Sequence, residues 1–249
     1  MGKLRTNILT IAGFDPSGGA GVLADIKVFE QLKLQGLGVS TSITFQNEDQ
    51  FLGVNWLNFD QIKSQLEPLF SRYKIEFVKI GLVENIEILE KIIDYLKEQN
   101  PKIYIIWDPI FKTSTGFDFK WNSEIDFSSI LSKIEILIPN SLEISILNKL
   151  DSIKDKCENL SKSCVVYLKG GHNIEKLGYD YIYQNGGLKF NLRPKSTDVA
   201  EKHGSGCVLS AALLGYLAKG YNLQKSCLKA KEYTYYVLKS NESKLGYHS

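Results

Sequence analysis

The chain is poor in the residues that build metal cages, disulfide frameworks and membrane spans. Its 249 residues include three histidines, one methionine and four cysteines. Cys157, Cys164, Cys207 and Cys227 show no CxxC or Cys/His zinc spacing, so free thiols in a reducing compartment are expected. No apolar run approaches the ~20 residues that cross a bilayer. Residues 8–13 are too brief for the apolar stretch of a signal segment, so the expected location is the cytoplasm. Basic residues number 30 against 28 acidic, a formal charge of +2. Such a balance gives no reason to expect a nucleic-acid or membrane partner. The chain also lacks a glycine loop followed by Gly-Lys-Ser/Thr, and it lacks GxGxxG. A P-loop NTPase and a standard dinucleotide fold both lose ground on that account.

What is present reads as one large α/β domain over residues 1–249, with 43% hydrophobic and 23% charged residues. Residues 7–12 (NILTIA) predict a buried strand ending at Gly13, followed by the turn-rich loop FDPSGGAG. Val22, Leu23, Ile26, Phe29 and Leu32 then fall at helical spacing. Further strands are predicted over 38–45, 77–80, 103–107, 134–138 and 165–168. Helices are predicted between them, over 61–70 with Asp60 as N-cap, 86–97, 142–147 and 153–162. A hairpin is expected where 179–183 and 188–192 flank Asn185–Gly186–Gly187, and a last helix over 223–241. Alternating strands and helices argue for a mostly parallel sheet covered on both faces. Polar residues gather just past the strand ends: Gln46, Asp108, Asn140 with Glu143, and Lys169. In open α/β sheets that edge binds ligands.

The chain is organised around residues 203–214, HGSGCVLSAALL. Gly204 and Gly206 sit just before small and apolar residues at helical spacing, which writes a tight loop opening into a buried helix. Glycine admits an anion close to the backbone, and the first helical amides have no intrahelical partner. A phosphate or developing phosphoryl group is the guest such a site suits. Cys207 stands in the first turn, where a helix terminus stabilises a thiolate, so its pKa is expected to fall from about 8.5 towards neutrality.

Taken in order, AGFDPSGGAG, ADIKVFEQL, FQN, VKIGL, DPIF, PNSLE, KGGH and HGSGC resemble the hydroxymethylpyrimidine/phosphomethylpyrimidine kinases of the ribokinase-like superfamily. The match runs from about Ile8 to Leu217. The resemblance implies a three-layer α/β/α sandwich with a central, mainly parallel sheet. It implies ATP-dependent phosphorylation of 4-amino-5-hydroxymethyl-2-methylpyrimidine and then of its monophosphate, with Mg²⁺ accompanying ATP. A homodimer is expected, since relatives are commonly dimers. Some residues depart from the family pattern. Phe14 replaces Ser or Thr, Leu82–Val83 replaces Met–Leu, and Phe45 and Glu48 flank Gln46–Asn47 where smaller or hydroxyl residues are usual.

The resemblance implies roles residue by residue. Amides of Gly204, Ser205, Gly206 and Cys207 would hold the γ-phosphate, and Cys207, where many superfamily members have Asp, would take the proton of the attacking hydroxyl. Lys169 would reach the transferring phosphates as a point charge. Gln46 offers one acceptor and two donors, which fits a pyrimidine ring nitrogen beside an exocyclic amine. Gly13 and Gly19 would let the substrate lie close to backbone. Asp25 reads about equally as a substrate contact or a plain helix-start acid. Glu143, in the Asn-x-x-Glu pattern, would organise Mg²⁺ through water, with Asp108 as a second candidate that reads equally well as a turn acid. His172 and His203 read as loop residues, and Lys225, Lys229 and Lys231 as a solvated helix face. The alternatives are a pyridoxal kinase of the same fold, or a non-catalytic pyrimidine sensor.

Overall fold

The computed structural model describes residues 4–113, 116–119, 121, 126–171 and 176–248. Nine strands form one sheet in the order β3-β2-β1-β4-β5-β6-β7-β8-β9. They are β1 Asn7–Phe14, β2 Gln35–Gln46, β3 Phe51–Trp56, β4 Phe77–Ile80, β5 Tyr104–Trp107, β6 Ile136–Leu137, β7 Val165–Leu168, β8 Asp180–Gln184 and β9 Gly187–Leu192. Strands β2, β1, β4, β5, β6 and β7 run parallel, while β3 at one edge and β8–β9 at the other are antiparallel. Strand β1 lies between β2 and β4, so the chain leaves it in opposite directions. That is the switch point at which α/β sheets open a crevice.

Eight helices among the described residues cover the sheet: α1 Gly21–Gln31, α2 Phe59–Arg72, α3 Ile86–Gln99, α4 Ser128–Leu131, α5 Ser141–Leu147, α6 Ile153–Leu160, α7 Ser205–Ala218 and α8 Leu223–Leu238. Two separate apolar cores result. One joins the sheet to α2 through α6, by residues such as Leu66, Leu89, Ile93, Leu131, Ile144 and Leu160. The other joins it to α1, α7 and α8, by Val28, Phe29, Leu213, Leu214, Ala230 and Val237. Two cores on opposite faces make the three layers of the ribokinase-like sandwich. Every residue of α7 from Cys207 to Gly215 is buried, as expected of a helix apolar all round. No helix among the described residues is long and apolar enough to cross a membrane.

Three local details differ from expectation. Strand β3 (FLGVNW) carries no alternation strong enough to read, and it forms because β2 offers an open antiparallel edge. The cap of α2 is Asn58, whose side chain accepts from the Gln61 amide in a capping box, and Asp60 falls in the first turn instead. The β8–β9 turn is tighter than written, with Asn185 and Gly186 at φ 55° and 78°, the left-handed pair of a two-residue hairpin. All four cysteines are free and buried.

Candidate active site

A cleft of about 930 Å³ opens along the carboxyl edge of the sheet. Gly13 enters it from the end of β1 and Asp15 just past it, Gln46 from β2, Leu82 after β4, Asp108 after β5, Asn140 and Glu143 after β6, and Lys169 after β7. The second glycine loop, Gly204 to Cys207, closes the wall. Topology thus gathers residues that are up to 194 positions apart in sequence, from Gly13 to Cys207.

Gly204 is the N-cap of α7 with φ 73°. That left-handed conformation favours glycine, and a Cβ here would lie 2.0 Å from the Gly19 carbonyl oxygen. Both glycine loops therefore interlock backbone to backbone. Gly19 itself is packed against His203 and Leu245 and supports the cleft from behind instead of lining it. Gly21, at φ 60°, would drive a Cβ to 2.1 Å from the Gly13 carbonyl. The helix starts of α1 and α7 meet at Cys207, whose sulfur is hydrogen-bonded by the Gly21 amide.

The thiol of Cys207 corrects one expectation. Burial pushes its pKa up to about 11, helped by Asp108 and Asp25 and opposed by the Lys79 ammonium. The resting protein holds a neutral thiol, because loss of hydration outweighs the stabilisation that a helix terminus offers.

Lys169 organises the charges opposite. Its Nζ lies 2.7 Å from Asp108 Oδ1 and 3.3 Å from Glu143 Oε2, and a Cβ on Gly206 would lie 3.6 Å from it. Burial works against this ammonium, but the two carboxylates outweigh it and hold it charged above its ordinary value. Asp108 Oδ2 accepts from Ser210 Oγ at 2.7 Å, which ties β5 to α7. Glu143 Oε2 accepts the Asn140 amide at 2.6 Å, and Asn140 Oδ1 accepts the amides of Leu142 and Glu143. This capping box locks the carboxylate's rotamer at the start of α5. Burial, with Asp108 nearby, pushes the Glu143 carboxyl up to about 7 against the pull of Lys169.

Once Glu143 ionises, Asp108 and Glu143 place two carboxylates around a single ammonium, and the cluster is then one positive charge short. No group of three or more His, Cys, Asp or Glu side chains that could hold a metal occurs among the described residues. This donor set suits Mg²⁺, which takes most of its ligands from water and phosphate and needs only one or two carboxylates.

At the substrate end, Gln46 Nε2 donates to Thr44 Oγ1 at 2.8 Å, and Thr44 Oγ1 donates to the Phe14 carbonyl at 2.9 Å. The amide is thus oriented by its own strand. Asp25 does not reach the cleft. It is fully buried, with its carboxylate 2.6 and 2.7 Å from Lys79 Nζ and 2.5 Å from Thr10 Oγ1. Lys231 is not part of a solvated face, since it lies 2.5 Å from Asp180 and borders the cleft. Lys225 and Lys229 lie over the Tyr221 and Tyr216 rings. His172 lies outside the described residues.

Two features escaped the sequence. His203 Nε2 lies 2.8 Å from Asp15 Oδ2, joining the two glycine loops across 188 residues. Burial raises the Asp15 pKa, but hydrogen bonds from His203, Ser17 and Ala20 more than offset this and hold it below the usual carboxylate range. The letters DPSGG and HGSGC were visible, but their pairing was not. The second feature is an extension of the cleft between residues 194–202 and α8, bordered by Pro194, Val199, Ala200, Tyr235 and Leu238. No motif marks that extension.

A glycine-opened helix start facing a carboxylate–lysine cluster across a switch-point crevice, on a three-layer α/β/α sandwich, is the arrangement of a small-molecule kinase of the ribokinase-like superfamily. The family model described as phosphomethylpyrimidine kinase matches residues 15–249. The chain belongs to that family. It is 31% identical over 249 residues to the hydroxymethylpyrimidine/phosphomethylpyrimidine kinase of Aquifex aeolicus, covering 96% of each chain. Among solved structures it resembles the phosphomethylpyrimidine kinase of Clostridium difficile 630, with a TM-score of 0.76 at 30% identity, over 92% of this chain and 98% of that one. It also resembles the pyridoxal kinase of Staphylococcus aureus in complex with AMP-PCP and pyridoxal, with a TM-score of 0.81 at 26% identity, over 97% and 92%.

Proposed function

We propose that this chain transfers the γ-phosphoryl group of ATP to 4-amino-5-hydroxymethyl-2-methylpyrimidine, and then phosphorylates the monophosphate to the diphosphate, as one kinase domain. The observation that carries the reading is the oriented amide of Gln46 in the same cleft as the phosphate loop. Its carbonyl can accept from the exocyclic amine of an aminopyrimidine. Gly13 borders the cleft beside it, but the space a Cβ would take there is filled by Ser42 Oγ and Leu82 Cδ2, at 2.8 and 3.0 Å.

Phosphoryl transfer is mainly positioning and charge neutralisation. Amides of Gly204, Gly206 and Cys207 receive the γ-phosphate and the charge that develops on it, with Lys169 neutralising it from the opposite side, while the Ser205 amide donates to the Lys202 carbonyl at 3.3 Å. The hydroxymethyl oxygen forms the new P–O bond as the bond to the ADP oxygen breaks. The hydroxyl proton passes to Cys207 Sγ, which must be a thiolate to receive it. Asp108 and Glu143 would hold Mg²⁺, largely through water, and bound Mg²⁺ neutralises phosphate charge. The extension beside Tyr235 and Leu238 would take the adenine, with the Tyr235 ring and Leu238 as its apolar surfaces.

The structural likeness to a pyridoxal kinase supports a second reading, in which pyridoxal is the acceptor. Pyridoxal has no amine for the Gln46 carbonyl. A sensor without chemistry has no use for the Asp108–Lys169–Glu143 cluster. ADP release measured side by side with the hydroxymethylpyrimidine, its monophosphate and pyridoxal tests the assignment. Turnover of pyridoxal alone overturns it, and absence of turnover with all three favours the sensor. Assembly as a cytoplasmic homodimer goes with this reading. Ile43, Phe45 and Leu52 stand exposed on the β2–β3 edge, and sedimentation of the purified chain as a monomer would refute the dimer.

A further inference from the structure

The residue preceding the phosphate loop's histidine is bolted to the far end of the chain. Lys202 is only 6% exposed. Its ammonium donates to the Asn241 carbonyl at 2.6 Å, to Asn241 Oδ1 at 3.0 Å and to the Ser243 carbonyl. All three acceptors are neutral oxygens. The neighbouring His203 amide donates to the Lys244 carbonyl at 2.9 Å. Asn241 also shapes the turn itself, accepting from the Ser243 amide and donating to the Leu245 carbonyl. Leu245 then packs on Gly19, where a Cβ would meet its Cδ2 at 2.8 Å. The carbonyl of Gly19 in turn fills the space beside Gly204.

A buried ammonium is costly unless every proton finds a partner, and an apolar side chain of similar length would fill the same space without that cost. The three acceptors satisfy its three protons. The bonds they make run from α8's outgoing turn to a residue two positions before Gly204, whose left-handed backbone sets the direction of the loop amides. Hydrogen bonds link the turn to residues 202 and 203, and close packing links Leu245, Gly19 and Gly204, so a shift of the turn is transmitted to the loop.

We propose that Lys202 is a positioning residue for phosphoryl transfer: its ammonium, seated in the turn at 241–243, fixes the backbone entering the phosphate loop and holds the loop amides on the γ-phosphate. This rests on the kinase reading of the same loop, and the two are separated by measuring nucleotide binding as well as turnover. In binding calorimetry, Lys202→Met should lose AMP-PCP affinity by about tenfold, the worth of one charge-assisted hydrogen bond, while ADP affinity stays near that of the wild type. Turnover should fall by up to about 10²-fold, as for misplacement of reacting groups by ~1 Å, with KM for the pyrimidine little changed. Lys202→Ala, which leaves a hole, should recover turnover in ammonium chloride but not in tetramethylammonium chloride at equal ionic strength. Asn241→Ala, outside the cleft, should repeat the AMP-PCP defect in milder form and serves if the lysine variants do not fold. An unchanged AMP-PCP to ADP affinity ratio in Lys202→Met, or in Asn241→Ala where only that variant folds, overturns the proposal. A wild-type chain that binds AMP-PCP yet phosphorylates no acceptor overturns the kinase reading and leaves that affinity ratio to decide the role of Lys202.

Discussion

Replacing Cys207 by Ala should damage one phosphorylation and spare the other. In the first step the nucleophile is an alcohol, whose proton must leave as the P–O bond forms. In the second it is a phosphate oxygen, already ionised at neutral pH because the second pKa of a phosphate monoester is about 6. Cys207 is held as a thiol by burial, with a pKa of about 11. At pH 8 about one site in 10³ then carries the thiolate. The active form is the deprotonated one, so the raised pKa makes the first step climb about tenfold per pH unit between pH 7 and 10, while the second stays flat. Removing the sulfur should lower the first step by about 10²–10⁴-fold, the usual worth of a general base. The second step should remain within a few-fold of the wild type. Cys207→Asp starts from a carboxylic acid near 3.9, so even a rise of two or three units on burial leaves it substantially ionised at pH 8. Its first step should exceed that of Cys207→Ala and lose the steep alkaline climb. Single-turnover experiments with rapid quenching, separating mono- from diphosphate by chromatography, measure both steps in one sample. Equal loss in the two steps, or a flat profile for the first step in the wild type, would refute Cys207 as the proton acceptor.

Other perturbations test the remaining parts of the site. Gln46→Met keeps volume but removes every hydrogen-bonding atom, and each unpaired substrate group should cost about 1–3 kcal/mol. The kcat/KM for the aminopyrimidine should fall while that for pyridoxal hardly moves, and an equal loss for both would make Gln46 a scaffold residue. Glu143→Gln should raise the Mg²⁺ concentration needed for half-maximal turnover without altering pyrimidine binding. The same variant has a stability signature. The Glu143 pKa is raised from 4.5 to about 7, so its contribution is fully present below pH 4.5 and lost as pH rises through 7. Above pH 7 the ionised carboxylate should cost about 3 kcal/mol, and urea unfolding should show Glu143→Gln relieving that cost and flattening the pH dependence. His248 behaves in the opposite sense. Burial, with Lys27 adding to it, lowers its pKa from 6.5 to about 4, so its stabilising contact with Tyr233 Oη at 2.9 Å is present above pH 6.5 and lost as pH falls through 4. Limited proteolysis should release the C-terminal residues faster at pH 4.5 than at pH 7.5, and equal rates would exclude this linkage.

The sequence by itself was enough for the alternating strand and helix order, because period-2 and period-3.6 apolar patterns are local properties of the chain. It also exposed the glycine loop that opens α7, since Gly204 and Gly206 before an apolar helix need no distant partner to be recognised. Asn140 and Glu143 were legible as a pair through the Asn-x-x-Glu pattern just past a strand end, while the capping box that joins them emerged with the structure. Other features were decided only by tertiary structure. Asp25 looked like a residue on the substrate side of α1, but Lys79 on β4 captures it beneath the cleft, 54 residues away in sequence. Strand β3 exists because β2 presents an open edge, and the Asp15–His203 link exists because the two glycine loops cross. The acidity of Cys207 inverted for the same reason. A helix start favours a thiolate locally, but packing α1 and α7 together removes the water that would stabilise its charge.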